Sequence, residues 1–511
     1  MKKLIKKVLI PAALGLLAFC FRWLPTFLAY FKRGERVFLG VNSLANLMDV
    51  WVYWADIMVG RKGSWLLTNQ FGNGPQARFL VKPLYVWLGR LTVGMPFSVE
   101  VIYLLAAFFL SAVLGLVLFR FSSLFFKSYR SQIFTTVITL FSGAISFSLP
   151  IEAVPFLSLL EPHFILAHIT LVLTFYFFLT KDLFLSQRKK VKLLVSIFLV
   201  GLILSLMHFF MNWLVLTILI FWVLFFFPSW TEKKKFVSLF LVFGFSSLPM
   251  SVYAFYLSKN PIFFRDFIKQ NVLISPSPFF ILSQLGVFLF LIPFSLKLAK
   301  KNKNIFLLFT WLIVHYLFIY LPVTWQRHFI EGWWIPASYL ASLGIFYLWK
   351  KIEKRALSLR IFWILIIFPI FFATNFSLLL IEIYFLAPLD KGAIYVSQKE
   401  KEAWDFLLPR CSADKIIIAD WPRGGYLPAK TGCRSFVGHG IQTFDYYRKR
   451  AQLKKLVKDK LTPSDLEKFF IEKEINYVFL PRSKAEKTRI REVSHMKLIF
   501  ENEEFMVYEW Q

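Results

Sequence analysis

The chain has 511 residues, of which 57% are hydrophobic and 18% are charged. A soluble protein of this composition would lack the polar surface to cover its apolar residues, and the same composition excludes a disordered or collagen-like chain. The net charge of +30 would indicate nucleic-acid binding in a soluble protein, but in a membrane protein Lys and Arg gather in cytoplasmic loops and set the orientation.

Apolar runs of bilayer-spanning length recur along the chain and predict an α-helical polytopic membrane protein with about eleven transmembrane helices. The predicted spans are residues 4–24, 98–119, 132–149, 163–180, 193–209, 211–228, 236–257, 279–298, 304–322, 333–349 and 361–384. The basic start of the first run also suits a signal peptide, but no small-x-small cleavage pattern follows it, which favours an uncleaved anchor.

Basic residues concentrate in alternate connections between these spans. About 24 of the 60 Lys and Arg residues lie at the N-terminus and near 120–130, 181–192, 233–235, 297–303 and 350–360. The shorter connections between them carry few, and 323–332 has only Arg327, whereas the long connection 31–97 is moderately basic. The asymmetry predicts a protein of the cytoplasmic membrane with its N-terminus inside and its C-terminal region outside, and it removes the nucleic-acid interpretation.

Two regions depart from the membrane pattern and define the predicted domains. The transmembrane domain, 1–388, contains a long outside loop, 31–97, whose 42–60 segment has a helical pattern beginning at Asn42 or Ser43. Its tryptophans suit a helix at the membrane interface. The second domain, 389–511, is predicted to be a small extracytoplasmic α/β domain. Its predicted elements are a helix at 400–407, strands at 415–420 and 476–481, and a hairpin at 497–510.

Two of the three cysteines, Cys411 and Cys433, fall in this second domain. A disulfide in an oxidising compartment and a pair of unrelated thiols both fit the sequence, because spacing does not set the distance between them. Clustered His and Cys residues at metal-ligand spacing are lacking, so the sequence indicates no zinc site.

The acidic residues of the 42–60 segment are candidates for chemistry. Asp49 and Asp56 are seven residues apart, which places them on one helix face with Tyr53 between them. A carboxylate at the outer membrane surface can act as a general base toward a hydroxyl. The alternative is a solvated helix face with one capping Asp.

Arg327 and His328 stand in a short, charge-poor outside loop next to Trp325. The planar guanidinium of Arg suits phosphate oxygens, so this loop is a candidate site for a donor phosphate. The alternative is an Arg that extends to lipid headgroups among aromatic anchors.

Four further residues are weaker candidates for substrate binding. Glu161 and His163, at the outer end of the fourth span, either line a polar cavity or form interhelical hydrogen bonds. Lys82 and Arg78 either bind donor phosphate or, as the sequence favours, contact lipid headgroups.

Four segments carry a resemblance to a known family. They are DVWVYWADIMVGRKGSWLLTN at 49–69, FLVKPLYVWLGRL at 79–91, WQRHFIEGWWIPASYLASLG at 325–344 and GGYLPAKTGCRSFVGHGIQT at 424–443. With one span, a long outside loop, further spans and an outside domain, the chain resembles the GT-C superfamily of polyprenyl-phosphate-sugar-dependent glycosyltransferases. It is most similar to the bacterial relatives of protein mannosyltransferases and of the lipid A aminoarabinose transferase.

The resemblance implies roles for individual residues. Asp49 matches the catalytic Asp of the first outside loop, with Asp56 as second choice, and Arg327 matches the donor-phosphate Arg. His439 and Thr443 match an outside-domain pattern of undefined role. No acidic pair follows in the second outside segment, so a divalent metal is not indicated although it stays an open alternative, and no other cofactor is certain.

The implied function is an inverting hexosyl or pentosyl transfer from a polyprenyl-phosphate sugar to a lipid, glycan or protein acceptor at the outer membrane face. A lipid or glycan transporter or flippase is an alternative, but such proteins usually show two related halves, which this chain lacks. A glycan ligase or polymerase is another, although its large outside loop would come late in the chain, whereas here it comes early.

Overall fold

The computed structural model describes residues 5–40, 47–145, 150–180, 187–264, 268–269, 271–352, 368–386, 394–458 and 461–511. The chain forms two compact units. The first unit consists of Met1–Leu24, Leu105–Phe255 and Leu273–Ile381, and the second of Pro25–Leu104, Tyr256–Val272 and Glu382–Gln511. The predicted domain boundary, between residues 388 and 389, lies outside the described residues, so that division stays a prediction.

Long apolar helices make this a multi-pass membrane protein. In the part of the chain that the structure describes, five helices are long and apolar enough to cross a membrane: Ile5–Phe31, Val99–Ser122, Pro162–Leu179, Gln187–Phe226 and Trp230–Lys259. Further helices lie at other predicted spans: Tyr129–Phe141, Val287–Ala299, Lys303–Phe318, Trp334–Ile352 and Phe368–Leu386. The first helix continues past the predicted end at residue 24, through Pro25, and ends at Phe31. The predicted segments 146–149 and 361–367 lie outside the described residues.

The helix Gln187–Phe226 contains the predicted reversal between two spans. His208 has non-helical backbone angles, φ −144° and ψ 85°. The side-chain amide of Asn212 donates to the carbonyl oxygen of Gly201 at 3.0 Å. These two residues would be roughly 16 Å apart along one straight helix. The chain therefore turns back at His208, as the sequence predicts.

The predicted span at 279–298 is not one continuous helix. A short helix, Pro278–Ser283, is followed by Gly286 with a φ of 54°, and apolar helical structure resumes at Val287. A side chain at Gly286 would meet Ile145 Cγ1 at 2.8 Å. This left-handed, closely packed position favours glycine and interrupts the helix, which apolar content alone cannot reveal.

Among the described residues, nine short strands occur, and all of them lie in the second unit. They are β1 (Val37–Phe38), β2 (Leu67–Thr68), β3 (Arg78–Phe79), β4 (Tyr395–Val396), β5 (Ile416–Ala419), β6 (Arg434–Ser435), β7 (Tyr477–Pro481), β8 (Met496–Glu501) and β9 (Phe505–Trp510). Strands β1 and β4 pair antiparallel, as do β2 and β3. The β1–β4 pair joins the segment after the first helix to the C-terminal region within this unit.

The C-terminal region forms the predicted α/β sheet. Its strand order is β6-β5-β7-β9-β8, with β5 parallel to β6 and β7, and β9 antiparallel to β7 and β8. The predicted strands, hairpin and helix are confirmed, the helix as Gln398–Leu407 with Ser397 as its cap. Strand β6 is too short to predict. The other helices of this region are Arg423–Thr431, Tyr446–Val457, Pro463–Glu472 and Arg482–Ala485.

The predicted helix of the first outside loop is Leu47–Arg61, hereafter the loop helix. Its predicted start, Asn42 or Ser43, lies outside the described residues. Trp51 and Trp54 are 0% and 1% exposed, so these tryptophans are core residues of the second unit rather than anchors on its surface. The placement of the helix at the membrane interface stays a prediction.

Candidate functional site

Asp49 lies in the first turn of the loop helix, where the helix dipole favours a carboxylate. Its Oδ1 is 2.9 Å from Nε2 of His439. The Asp49 side chain is 41% exposed and the His439 side chain 8%. The structure thus joins two sequence candidates that lie 390 residues apart, and it leaves the carboxylate accessible.

Residues 438–443, hereafter the His439 loop, are held by local hydrogen bonds. Thr443 accepts from the backbone N–H of Gly438 at 3.2 Å, and its own N–H donates to the carbonyl oxygen of His439 at 2.9 Å. The Asn69 side chain donates to the Gln442 carbonyl oxygen at 2.8 Å. Thr443, a sequence candidate without a role, therefore shapes the loop that carries His439.

The loop helix is packed closely on two sides. Gly60 and Gly89 let it approach the helix Leu84–Leu91, because a Cβ at Gly60 would lie 2.0 Å from the Val86 carbonyl oxygen. On another side, a Cβ at Gly425 would meet the Trp51 ring at 2.6 Å. These contacts fix the helix that presents Asp49.

Asp56 lies two turns after Asp49 on the same helix. Burial raises the pKa of Asp56 well above its ordinary value, although the positive charge of Lys82 acts in the opposite direction. Lys82 has a φ of 49°, which is uncommon for a residue with a side chain. Tyr53 stacks on Tyr85 with ring centroids 4.6 Å apart. Asp56, Lys82 and Tyr53 are therefore built into the second unit, whereas Arg78, in β3, is exposed.

Arg327 and His328 lie on the short helical turn Gln326–Ile330 of the first unit. The Nε atom of Arg327 is buried and has no hydrogen-bond partner among the described residues. His328 Nδ1 is 3.5 Å from Glu152 Oε1. Burial acts to raise the pKa of Glu152, but the contact and charge of His328 and the charge of Arg327 outweigh it and hold that pKa below its ordinary value.

Other buried ionisable residues lie in the same unit. Glu161 and His163 are both fully buried, with Oε2 and Nε2 3.8 Å apart. His208 Nδ1 and Glu331 Oε2 are 2.5 Å apart and also buried. Sequence reasoning missed Glu152 and Glu331. The available signal was a lone carboxylate in an apolar segment, which is costly unless it is paired.

The candidates thus fall into two groups. The second unit holds Asp49, Tyr53, Asp56, Arg78, Lys82, His439 and Thr443, and the first holds Glu161, His163, Arg327 and His328. Within the described ranges, no group of three or more His, Cys, Asp or Glu residues could hold a metal ion. The structure does not test whether a divalent metal takes part in the reaction.

Cys411 and Cys433 form a disulfide, with Cα atoms 4.8 Å apart, which settles the alternative that the sequence leaves open. Lys62, directly after the loop helix, donates to the carbonyl oxygens of Leu408 and Cys411 at 2.9 and 3.1 Å. The disulfide region is therefore tied to the end of the helix that carries Asp49.

No protein-family model matches the chain, and no curated protein matches it. Solved structures do. The oligosaccharyltransferase of Archaeoglobus fulgidus, tethered with an acceptor peptide containing the NVT sequon, is similar over 93% of this chain and 69% of its own, with 13% identity and a TM-score of 0.57.

ArnT from Cupriavidus metallidurans is similar over 96% of this chain and 97% of its own. In the apo state it has 12% identity and a TM-score of 0.52, and bound to undecaprenyl phosphate it has 10% identity and a TM-score of 0.53. Both neighbours are GT-C glycosyltransferases. The chain therefore has the fold of the GT-C glycosyltransferases, as the resemblance in its sequence implies.

Proposed function

We propose that this protein is an integral membrane glycosyltransferase that moves a sugar from a polyprenyl-phosphate donor to an acceptor at the extracytoplasmic membrane face. The observation that carries the proposal is the half-exposed Asp49 carboxylate, held at the start of a rigid helix in a protein of this fold. One neighbour is solved with undecaprenyl phosphate and another with an acceptor peptide, which supports a lipid-linked donor and a separate acceptor.

Asp49 is the proposed base. The acceptor hydroxyl oxygen bonds to the anomeric carbon as the bond to the phosphate oxygen breaks, and Asp49 takes the hydroxyl proton. A single displacement of this kind inverts the anomeric centre. Asp56 is the second choice for the base, but burial favours its protonated form, which suits that role less well.

Arg327 is proposed to bind the donor phosphate with help from His328. Its buried Nε lacks a partner among the described residues, and a phosphate oxygen would satisfy it. An Arg in this role stabilises the charge that develops on the leaving phosphate. Lys82, Arg78, Tyr53, Glu161 and His163 are proposed to contribute to substrate binding.

A transfer assay with the purified protein in liposomes tests the function. The probes are undecaprenyl phosphates that carry labelled hexoses or pentoses, with bacterial membrane extract as the acceptor source. We expect wild type to release undecaprenyl phosphate and pass label to the extract. Asp49→Asn should lower the rate by about 10²- to 10⁴-fold, because the proton acceptor is lost.

Asp405→Asn is the matched control, because Asp405 is a half-exposed carboxylate paired with Lys401 on the C-terminal domain. It should leave the rate unchanged. Full activity of Asp49→Asn would overturn the base assignment. If wild type moved the labelled lipid across the bilayer without cleaving it, the flippase alternative would replace the proposed function.

A further inference from the structure

The contact between Asp49 and His439 has a defined direction. Nδ1 of His439 faces the backbone N–H groups of Ile441 and Gln442, at 3.3 and 3.0 Å. Two donors require Nδ1 to be the acceptor, so the proton of the neutral imidazole is on Nε2. Nε2–H therefore donates to Oδ1 of Asp49.

The histidine ring has little freedom to leave this position. The His439 loop is closed by Thr443, which is fully buried. A Cβ at Gly438 would lie 2.2 Å from the carbonyl oxygen of Gly424 and 2.7 Å from the Phe71 ring, so the loop is packed against its neighbours on both sides. The C-terminal region thus presents a rigid hydrogen-bond donor to Asp49.

Only part of the Asp49 carboxylate is used by this contact. Among the described residues, His439 is the one side chain that contacts it by hydrogen bond or ion pair. With 41% of its side chain exposed, Asp49 is accessible from solvent. A purely structural tie would be expected to use a buried carboxylate with both oxygens satisfied, as Glu400 is by Arg423 and Tyr426.

We propose that His439 is a positioning residue that orients Asp49 for proton transfer, an inference that rests on the proposed function. Its Nε2–H holds Oδ1 and so selects the side-chain rotamer in which Oδ2 faces the acceptor. During transfer the acceptor hydroxyl proton passes to Oδ2, the leaving phosphate keeps the electron pair of the broken bond, and His439 retains its proton. The C-terminal domain thereby completes a site whose base lies in the first outside loop.

Two substitutions of His439 separate its two hydrogen-bonding atoms. In His439→Gln, the amide nitrogen lies near the position of Nε2 and can still donate to Asp49. In His439→Asn, the side-chain oxygen lies near the position of Nδ1 and can still accept from the backbone N–H groups, but the side chain is too short to reach Asp49. The Asn variant therefore keeps the loop and loses the orienting bond.

In the same transfer assay, we expect His439→Asn to lower kcat by about ten- to a hundredfold, the effect of losing one hydrogen bond to a charged group, with the donor KM unchanged. His439→Gln should recover most of kcat. His495→Asn is the matched control, because His495 is 59% exposed in the same unit. The proposal would be overturned if His439→Asn had the kcat of wild type. It would also be overturned if His439→Gln and His439→Asn lowered kcat equally.

The outcomes distinguish this inference from the function beneath it. If Asp49→Asn is inactive and His439→Asn is not, the positioning role fails and the base assignment stands. If Asp49→Asn is as active as wild type, the base assignment fails and the positioning role fails with it.

A spectroscopic readout tests the contact without turnover. In protein labelled with ¹⁵N-histidine, the NMR signal that disappears in His439→Asn is assigned to His439. We expect the chemical shifts of this signal to show the Nε2–H tautomer. Asp49→Ala should change these shifts, because it removes the acceptor of the Nε2–H bond. An Nδ1–H tautomer, or a signal that Asp49→Ala does not move, would contradict the proposed bond.

Discussion

Asp56 is a carboxylate on a helix whose neighbouring side chains are largely apolar and buried. Burial disfavours its charged form and outweighs the nearby charge of Lys82, so its pKa is raised. In the unfolded chain the Asp56 carboxyl group loses its proton at about pH 4, whereas in the folded chain it keeps the proton to higher pH. The folded state therefore loses stability as the pH rises between the two pKa values.

Asp56→Asn should remove this loss. We expect its thermal midpoint in detergent to exceed that of wild type at neutral pH, with a difference that shrinks as the pH is lowered below about 4, where wild-type Asp56 becomes protonated in both states. Asp405→Asn should show no such pH-dependent gain. An equal midpoint of Asp56→Asn and wild type at neutral pH would show that Lys82 fully compensates the burial.

At the scale of elements, the contact between the loop helix and the helix Leu84–Leu91 depends on a glycine in each helix. Gly60 and Gly89 face the backbone of the opposite helix, where a Cβ would lie 2.0 Å from the Val86 oxygen and 1.9 Å from the Ile57 oxygen. Backbone atoms cannot move aside as a flexible side chain can. A methyl group at either position must push the two helices apart.

Gly60→Ala should therefore destabilise the second unit by about 1–3 kcal/mol, the range of overpacking substitutions. It should also lower the transfer rate, because the helix carries Asp49. The measurement is the thermal midpoint together with the assay described above. Gly244→Ala is the control, since Gly244 is helical, has a negative φ and has nothing within 4 Å of its Cβ position. If both variants behaved alike, the close approach of the helices would not be what holds the loop helix.

At the scale of the whole molecule, the disulfide and the charge asymmetry lead to the same proposed orientation. Basic residues in alternate connections predict an extracytoplasmic C-terminal domain. The disulfide between Cys411 and Cys433 persists only where conditions are oxidising, which the cytoplasm normally is not. The two arguments are independent, because one uses loop charges and the other a contact within the C-terminal domain.

The number of free thiols tests this orientation. Intact cells are quenched with acid, which preserves the redox state of the cysteines, and the protein is then denatured. A polyethylene-glycol maleimide should modify wild type once, at Cys20, and three times after reduction. Cys411→Ser should give two adducts without reduction. Three adducts on unreduced wild type would place the C-terminal domain in a reducing compartment and contradict the proposed orientation.

Reduction of the disulfide should also lower the thermal midpoint of the protein, since a cross-link of this spacing contributes about 3 kcal/mol.

The sequence by itself determined the class of protein and most of its elements. Apolar runs, helix caps and alternating strand patterns depend on neighbouring residues, so they locate spans, the loop helix and the strands β5, β7, β8 and β9. Asp49 and Arg327 could be named as candidates from their local setting, and His439 and Thr443 from the resemblance of their segment to the GT-C family.

Tertiary structure alone decided which of these residues meet. The pairing of Asp49 with His439 spans 390 residues, the disulfide partner of Cys411 is 22 residues away, and Glu152 reaches His328 from another loop. Such contacts depend on how distant segments pack, and local periodicity contains no information about them. The break at Gly286 has the same cause, since a neighbour from elsewhere in the chain, Ile145, occupies the space beside it.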